Sequence, residues 1–166
     1  MNFLVSRVSK LIATPCIGIC SSSMGDDVCR GCHRFAHEVV NWNGYPEEQR
    51  VVVFERLDSL LIQILKNKIQ LIDIKLLSER LVAENIAFRK QSDPHCWVYS
   101  LLKKTRGEGL DAAHWGFRLL PAFTNTALPR FYEDLEGELY RLSQAHYQRY
   151  VAPGIVAASR QQPLKK

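Results

Sequence analysis

The chain has 166 residues, 46% of them hydrophobic and 23% charged, with a formal charge of +5 and a pI near 9.0. That size suits one domain, or one domain carrying a small module, and it can bury a core without cysteine cross-links. Lys and Arg are spread along the chain, which argues against a dedicated nucleic-acid face. The most apolar stretch, 51–65, is broken by Glu55, Arg56 and Asp58, so it does not read as a membrane span.

In chain order, residues 1–12 form an apolar lead-in with room for a turn or two of helix. The segment MNFLVSRVSKLIATPC is a poor export signal, because Arg7 and Lys10 interrupt its apolar residues and no small-x-small cleavage site follows. Pro15 makes Cys16 a poor lipidation cysteine. The expectation is a cytoplasmic protein, whose thiols stay reduced. Residues 14–32 are rich in Pro, Gly, Ser and Asp and read as a loop. A short helix is expected over 33–42, with Phe35, Val39 and Trp42 on one side, and Asn43-Gly44 makes a turn.

The clearest helix begins at Pro46, with Glu47 and Glu48 in its first turn, where they favour the helix dipole. Val53, Leu57, Leu60, Leu61 and Ile64 form its apolar stripe, and it ends near Asn67. Residues 69–72 suit a short strand or an extended link. Asp73 reads as the N-cap of a helix carrying Leu76, Leu77, Arg80 and Leu81. Ser92-Asp93-Pro94 starts another with Trp97, Val98, Leu101 and Leu102, closed by Gly107 and Gly109. A shorter helix is expected over 110–120 with Trp115 and Leu119, then a loop over 121–127. The last helix covers 129–150, with Phe131, Leu135, Leu139, Leu142 and His146 on one face, and is stopped by Pro153-Gly154. The tail from Ser159 is polar and basic and reads as disordered.

The fold class expected is therefore mainly α, with a small cysteine-rich metal-binding loop module followed by a helical domain. The boundaries are 14–70 for the module with its amphipathic helix, 71–155 for the helical domain and 156–166 for the tail.

Four of the five cysteines, Cys16, Cys20, Cys29 and Cys32, fall in the first loop at the spacing C-x3-C-x8-C-x2-C. Two close pairs joined by a short flexible loop are the layout of a tetrahedral thiolate site. Gly18 and Gly31 sit between paired cysteines, where their N–H groups can point at sulfur. Arg30 and Arg34 are placed to offset the charge of the thiolates. Cys29-Arg30-Gly31-Cys32 is a weak redox motif here, since no βαβ unit surrounds it. Both Zn²⁺ and an iron–sulfur cluster take four cysteines, and the spacing matches neither of the two common ferredoxin patterns.

Beside the site, His33 and His37 are read as non-ligands and Trp42 as a hydrophobic cover. Cys96, next to His95, reads as a half-buried thiol outside the site. Lys103, Lys104 and Arg106 read as a solvated basic stretch. Tyr140, His146, Tyr147 and Tyr150 read as packing along the last helix. Asp111, His114 and Ser143 form no recognisable triad. No catalytic residue and no phosphate loop is legible, so an enzyme is the least favoured class.

The run Pro15-Cys16-Ile17-Gly18-Ile19-Cys20, then Gly25-Asp26, Val28-Cys29-Arg30-Gly31-Cys32, Arg34, Glu38 and Trp42, resembles a small bacterial family of unknown function. These are the YdhL-like proteins of domain-of-unknown-function family 1289, described as predicted iron–sulfur proteins. Arg50 and Arg56-Leu57 also fit, and the resemblance covers about residues 14–60. It implies Cys16, Cys20, Cys29 and Cys32 as metal ligands, an iron–sulfur cluster as the group held, with Zn as the alternative, and no substrate. The function expected is electron transfer, cluster handling or redox sensing. The competing readings are a zinc-stabilised adaptor and, less favoured, a zinc-containing nucleic-acid binder. The partner expected is another protein.

Overall fold

The computed structural model describes residues 14–155. They form α1 (Ala36–Asn41), α2 (Glu47–Leu65), β1 (Ile69–Leu71), α3 (Ile74–Ala83), α4 (Pro94–Thr105), β2 (Phe117–Leu119) and α5 (Leu128–Tyr150), with 3₁₀ turns between. The protein is mainly α, as its apolar periodicity predicts. The expected lead-in over 1–12 and the tail over 156–166 lie outside the described residues.

Helix α2 begins one residue later than the sequence suggests. Pro46 is its N-cap, while Glu47 and Glu48 keep their place in the first turn. Val53, Leu60, Leu61, Ile64 and Leu65 turn inward from it. Helix α3 is capped as expected, with Asp73 Oδ1 accepting the Leu76 N–H at 2.9 Å. At α4, Asp93 Oδ1 accepts the His95 N–H at 2.9 Å, and Pro94 occupies the first turn. Both caps satisfy backbone donors that a helix start leaves open. Helix α4 ends at Arg106 in the left-handed region. At Gly107 a Cβ would stand 2.5 Å from the Leu128 carbonyl, so glycine is what lets the start of α5 approach the end of α4.

The helix expected over 110–120 is instead a 3₁₀ turn, Ala113–Trp115, followed by β2. Gly116 ends the turn at φ 77° and lies against Asp73, where a Cβ would be 2.4 Å from the carbonyl oxygen. The chain then extends, and Phe117 to Leu119 pair antiparallel with β1 in the register Ile69↔Leu119, Gln70↔Arg118, Leu71↔Phe117. This two-stranded ladder ties the α2–α3 link to the α4–α5 connection.

Helices α2, α3, α4 and α5 enclose the main core. Leu65, Leu77, Leu81, Val98, Leu101, Leu102 and Phe117 are fully enclosed in it. Helix α2 packs on α4 and α5, and α3 packs on α4. The inward stripe of α5 is Phe131, Leu135, Leu139, Ser143 and Tyr147, a strict four-residue step. Leu142 and His146, expected on that face, lie on its flank and are half-buried, because the four-residue step places Ser143 and Tyr147 inward in their stead. A smaller cluster joins Val28 and Phe35 to Tyr147, with Tyr140, Val151 and Ala152 around it. The loop that carries the cysteines thereby rests on the far half of α5.

Candidate metal centre

The loop is shaped by local hydrogen bonds before any helix begins. Cys20 precedes the 3₁₀ turn Ser21–Met24, which Gly25 closes in the left-handed region. Asp26 pairs with Arg30 at 2.9 Å, and Ser21 Oγ accepts the Arg30 N–H at 2.9 Å. Residues 29–34 then form a tight reversal. The Cys29 N–H donates to Arg34 O at 2.9 Å, the His33 N–H donates to Cys29 O at 2.8 Å, and Val28 bridges Phe35. Gly31 is the crossing point of the two cysteine pairs. A Cβ there would be 2.7 Å from the Ile17 side chain and 3.0 Å from Ile19 O, so glycine lets segment 16–20 lie over the second pair without displacing the Ile17 side chain.

Each sulfur has its own setting. The Gly18 N–H donates to Cys16 Sγ at 3.3 Å, in the direction expected from its place between the cysteines. Burial works against charge on Cys29, but hydrogen bonds from the backbone of Cys32, Ser21 and Gly31 and from the Cys32 thiol bring its pKa down to about 7. Burial pushes the Cys32 thiol up, opposed by Arg34, whose Nε donates to its sulfur at 3.3 Å. Cys20 Sγ lies 2.8 Å from Ser22 Oγ. Cys29 and Cys32 are buried, Cys20 is half-buried and Cys16 is exposed.

Among the described residues, no three or more Cys, His, Asp or Glu side chains stand together in an array that could hold a metal ion. The donor chemistry nevertheless fits a thiophilic metal. Four thiols lie on two crossing segments, the Gly18 N–H donates to Cys16 Sγ, and the Arg34 guanidinium donates to Cys32 Sγ.

The charges around the loop come from three elements. Arg34 is 3% exposed, and its guanidinium lies 4.6 Å over Trp42, which Arg50 approaches at 5.7 Å. Trp42 therefore covers the site through Arg34. Arg30, expected beside the sulfurs, is held outward by Asp26, with its guanidinium over Tyr140 at 4.8 Å. Arg56 of α2 pairs with Glu38 at 2.6 Å, and Glu38 also accepts the Phe35 N–H at 2.9 Å. Lys103 of α4 reaches back across the sequence, its Nζ donating to Gly31 O at 3.2 Å. Burial pulls its pKa down, while Glu136 and the charges of Cys32, Cys29 and Cys16 push it up.

His33, in the left-handed region and 3% exposed, stands with Nε2 3.4 Å from Glu136 Oε2. Burial raises the Glu136 pKa, but His33, Tyr99 and Lys103 outweigh it and hold the carboxyl below its usual range. His37 is exposed at the side of Phe35.

Between the loop and the helices lies a cavity of about 310 Å³ walled by Cys16, Cys32, Asp58, Cys96, Tyr99 and Lys103 among others. Cys96, expected half-buried, is fully buried there and shares that wall with two loop cysteines. Its thiol is pushed well up by burial and by the charges of Asp58 and Asp93, which disfavours the nucleophilic thiolate at neutral pH. Asp111 caps the Ala113 N–H, His114 faces Arg80 and Ser143 is enclosed in α5. Tyr147 meets Phe35 edge-on at 5.2 Å, which is packing, as the aromatic stripe suggests. Lys103, Glu136 and Tyr99 are the residues sequence reasoning missed. Their signal was position: Tyr99 and Lys103 are four apart, a spacing that puts both on one side of α4.

The described residues thus define a mainly helical protein with a cysteine loop set against its core. Residues 14–60, which span the cysteine loop, α1 and most of α2, match the model of a family described as protein of unknown function (DUF1289). No curated protein and no solved structure matches the chain. Among the described residues, no helix is long and apolar enough to cross a membrane.

Proposed function

We propose that this is a metal-binding protein in which Cys16, Cys20, Cys29 and Cys32 hold one iron–sulfur cluster used in electron transfer, cluster handling or redox sensing. The observation that carries the reading is the setting of Arg34, a guanidinium 3% exposed with its Nε on Cys32 Sγ at 3.3 Å. A buried cation needs an anion, and the group placed beside this one is a sulfur. A four-thiolate centre would be strongly anionic, and Arg34 with Lys103 would offset that charge.

When bound, the cluster would supply one-electron chemistry, whereas zinc would supply only structural support. The residues' own roles are separate from that choice. The Gly18 N–H donates to Cys16 Sγ, Gly31 gives segment 16–20 room to cross, Arg34 would compensate charge, and Trp42 stacks under its guanidinium. The resemblance to predicted iron–sulfur proteins favours the cluster over zinc. The dispersed Lys and Arg favour a protein partner over nucleic acid.

Protein purified without oxygen or chelator is expected to be brown, with visible thiolate-to-iron absorption and iron and acid-labile sulfide in fixed ratio. Colourless protein with one zinc per chain and no sulfide would replace the cluster with a zinc-stabilised adaptor site.

A further inference from the structure

We infer that Lys103 is a positioning residue of the cysteine site, supplied by the C-terminal half of the chain and acting through the Gly31–Cys32 peptide group. This rests on the four-thiolate reading above. Lys103 and Lys104 are adjacent on α4, yet only Lys104 is exposed. The Lys103 Nζ lies 5.4 Å from the centre of the Tyr99 ring and donates to Gly31 O at 3.2 Å.

That carbonyl belongs to a peptide group with two ends in the site. Its oxygen accepts Lys103, and its N–H belongs to Cys32, whose sulfur receives the Arg34 Nε at 3.3 Å. A trans peptide group is planar, so its C=O and N–H point in opposite directions. Fixing the oxygen from one side therefore fixes the direction of the Cys32 N–H on the other. An ammonium on the oxygen also polarises the group and strengthens the N–H as a donor. Gly31 is also where the two cysteine segments cross, so the same contact fixes their relative orientation. On the neighbouring α5, Glu136 Oε2 lies 3.4 Å from Nε2 of His33, the residue after Cys32. A lysine merely stabilising the surface would not require its head group at this depth.

The test uses full-length protein carrying the metal it holds on purification, and the rate at which that metal passes to excess chelator. Lys103→Met is expected to release metal about 10-fold faster, the low end of what loss of a group supporting a ligand costs. Lys103→Gln, which keeps a donor for Gly31 O without the charge, should fall between. Lys103→Arg should return to within about threefold of the parent. Lys104→Met should match the parent, and far-UV dichroism should be the same in all. Equal release from Lys103→Met and the parent would overturn the inference and leave the metal site standing. An equal effect of Lys104→Met would reduce it to bulk charge. If Lys103→Met does not fold, Gln against Arg decides it: equal release from those two overturns a role for the ammonium. A parent chain that holds no metal would instead sink the four-thiolate reading itself.

Discussion

In the helical core, Leu65, Leu77, Leu81, Val98, Leu101 and Leu102 are shut off from solvent, and their neighbours are other apolar side chains. In residues 14–35, apolar burial is confined to Val28, Phe35 and the two inner cysteines. The rest of the loop is held by hydrogen bonds and ion pairs such as those of Asp26 with Arg30 and Lys103 with Gly31. Apolar burial is non-directional and scales with area, whereas polar contacts are individually weak and depend on geometry. The loop therefore depends on the geometry of its polar contacts in a way that the core does not.

The strongest challenge to that contrast is a cavity in the core. Leu101→Ala should lower stability by about 2–5 kcal/mol, as a buried leucine truncation does. Chemical denaturation should give the same loss with and without metal. A loss that disappears on metal removal would mean that core and loop are one cooperative unit with no separate footing.

A smaller effect is expected at the joint between the two regions. Glu136 is held below its usual range despite burial by His33, Tyr99 and Lys103. A carboxyl whose folded value is depressed stabilises the protein above its ordinary value of about 4.5, and that stability is lost as pH falls through the folded value. Glu136→Gln should cost about 1–3 kcal/mol near pH 7. It should also flatten the acid-side decline in stability below about pH 4.5. Parallel stability–pH curves for the two proteins would show that Glu136 does not join loop and core.

The caps and stripes of the helices were legible because their signals are local. Asp73 and Asp93 sit directly before apolar periods, and the loop's turn residues surround its cysteines. The strand at Phe117–Leu119 was not legible, because three residues carry no period and its partner lies 48 residues away, at Gln70 opposite Arg118. Ser143 was not legible as an inward residue, because it is polar and stands beside the apolar Leu142. Lys103 was hidden among basic neighbours. What separates it from Lys104 is which side of α4 it occupies, and what it reaches is a carbonyl 72 residues earlier. The cysteine spacing was legible, while the close approach of Gly31 to Ile17 and Ile19 was not.

The most direct measurement is metal content per chain for the parent and for five single variants, purified side by side without chelator. The account predicts metal in proportion to one site in the parent and a loss in each of Cys16→Ser, Cys20→Ser, Cys29→Ser and Cys32→Ser. Cys96→Ser should keep the parent's content and spectrum, although that thiol shares the cavity wall. Full occupancy in all four loop variants, or loss only in Cys96→Ser, would contradict a single centre built from the loop.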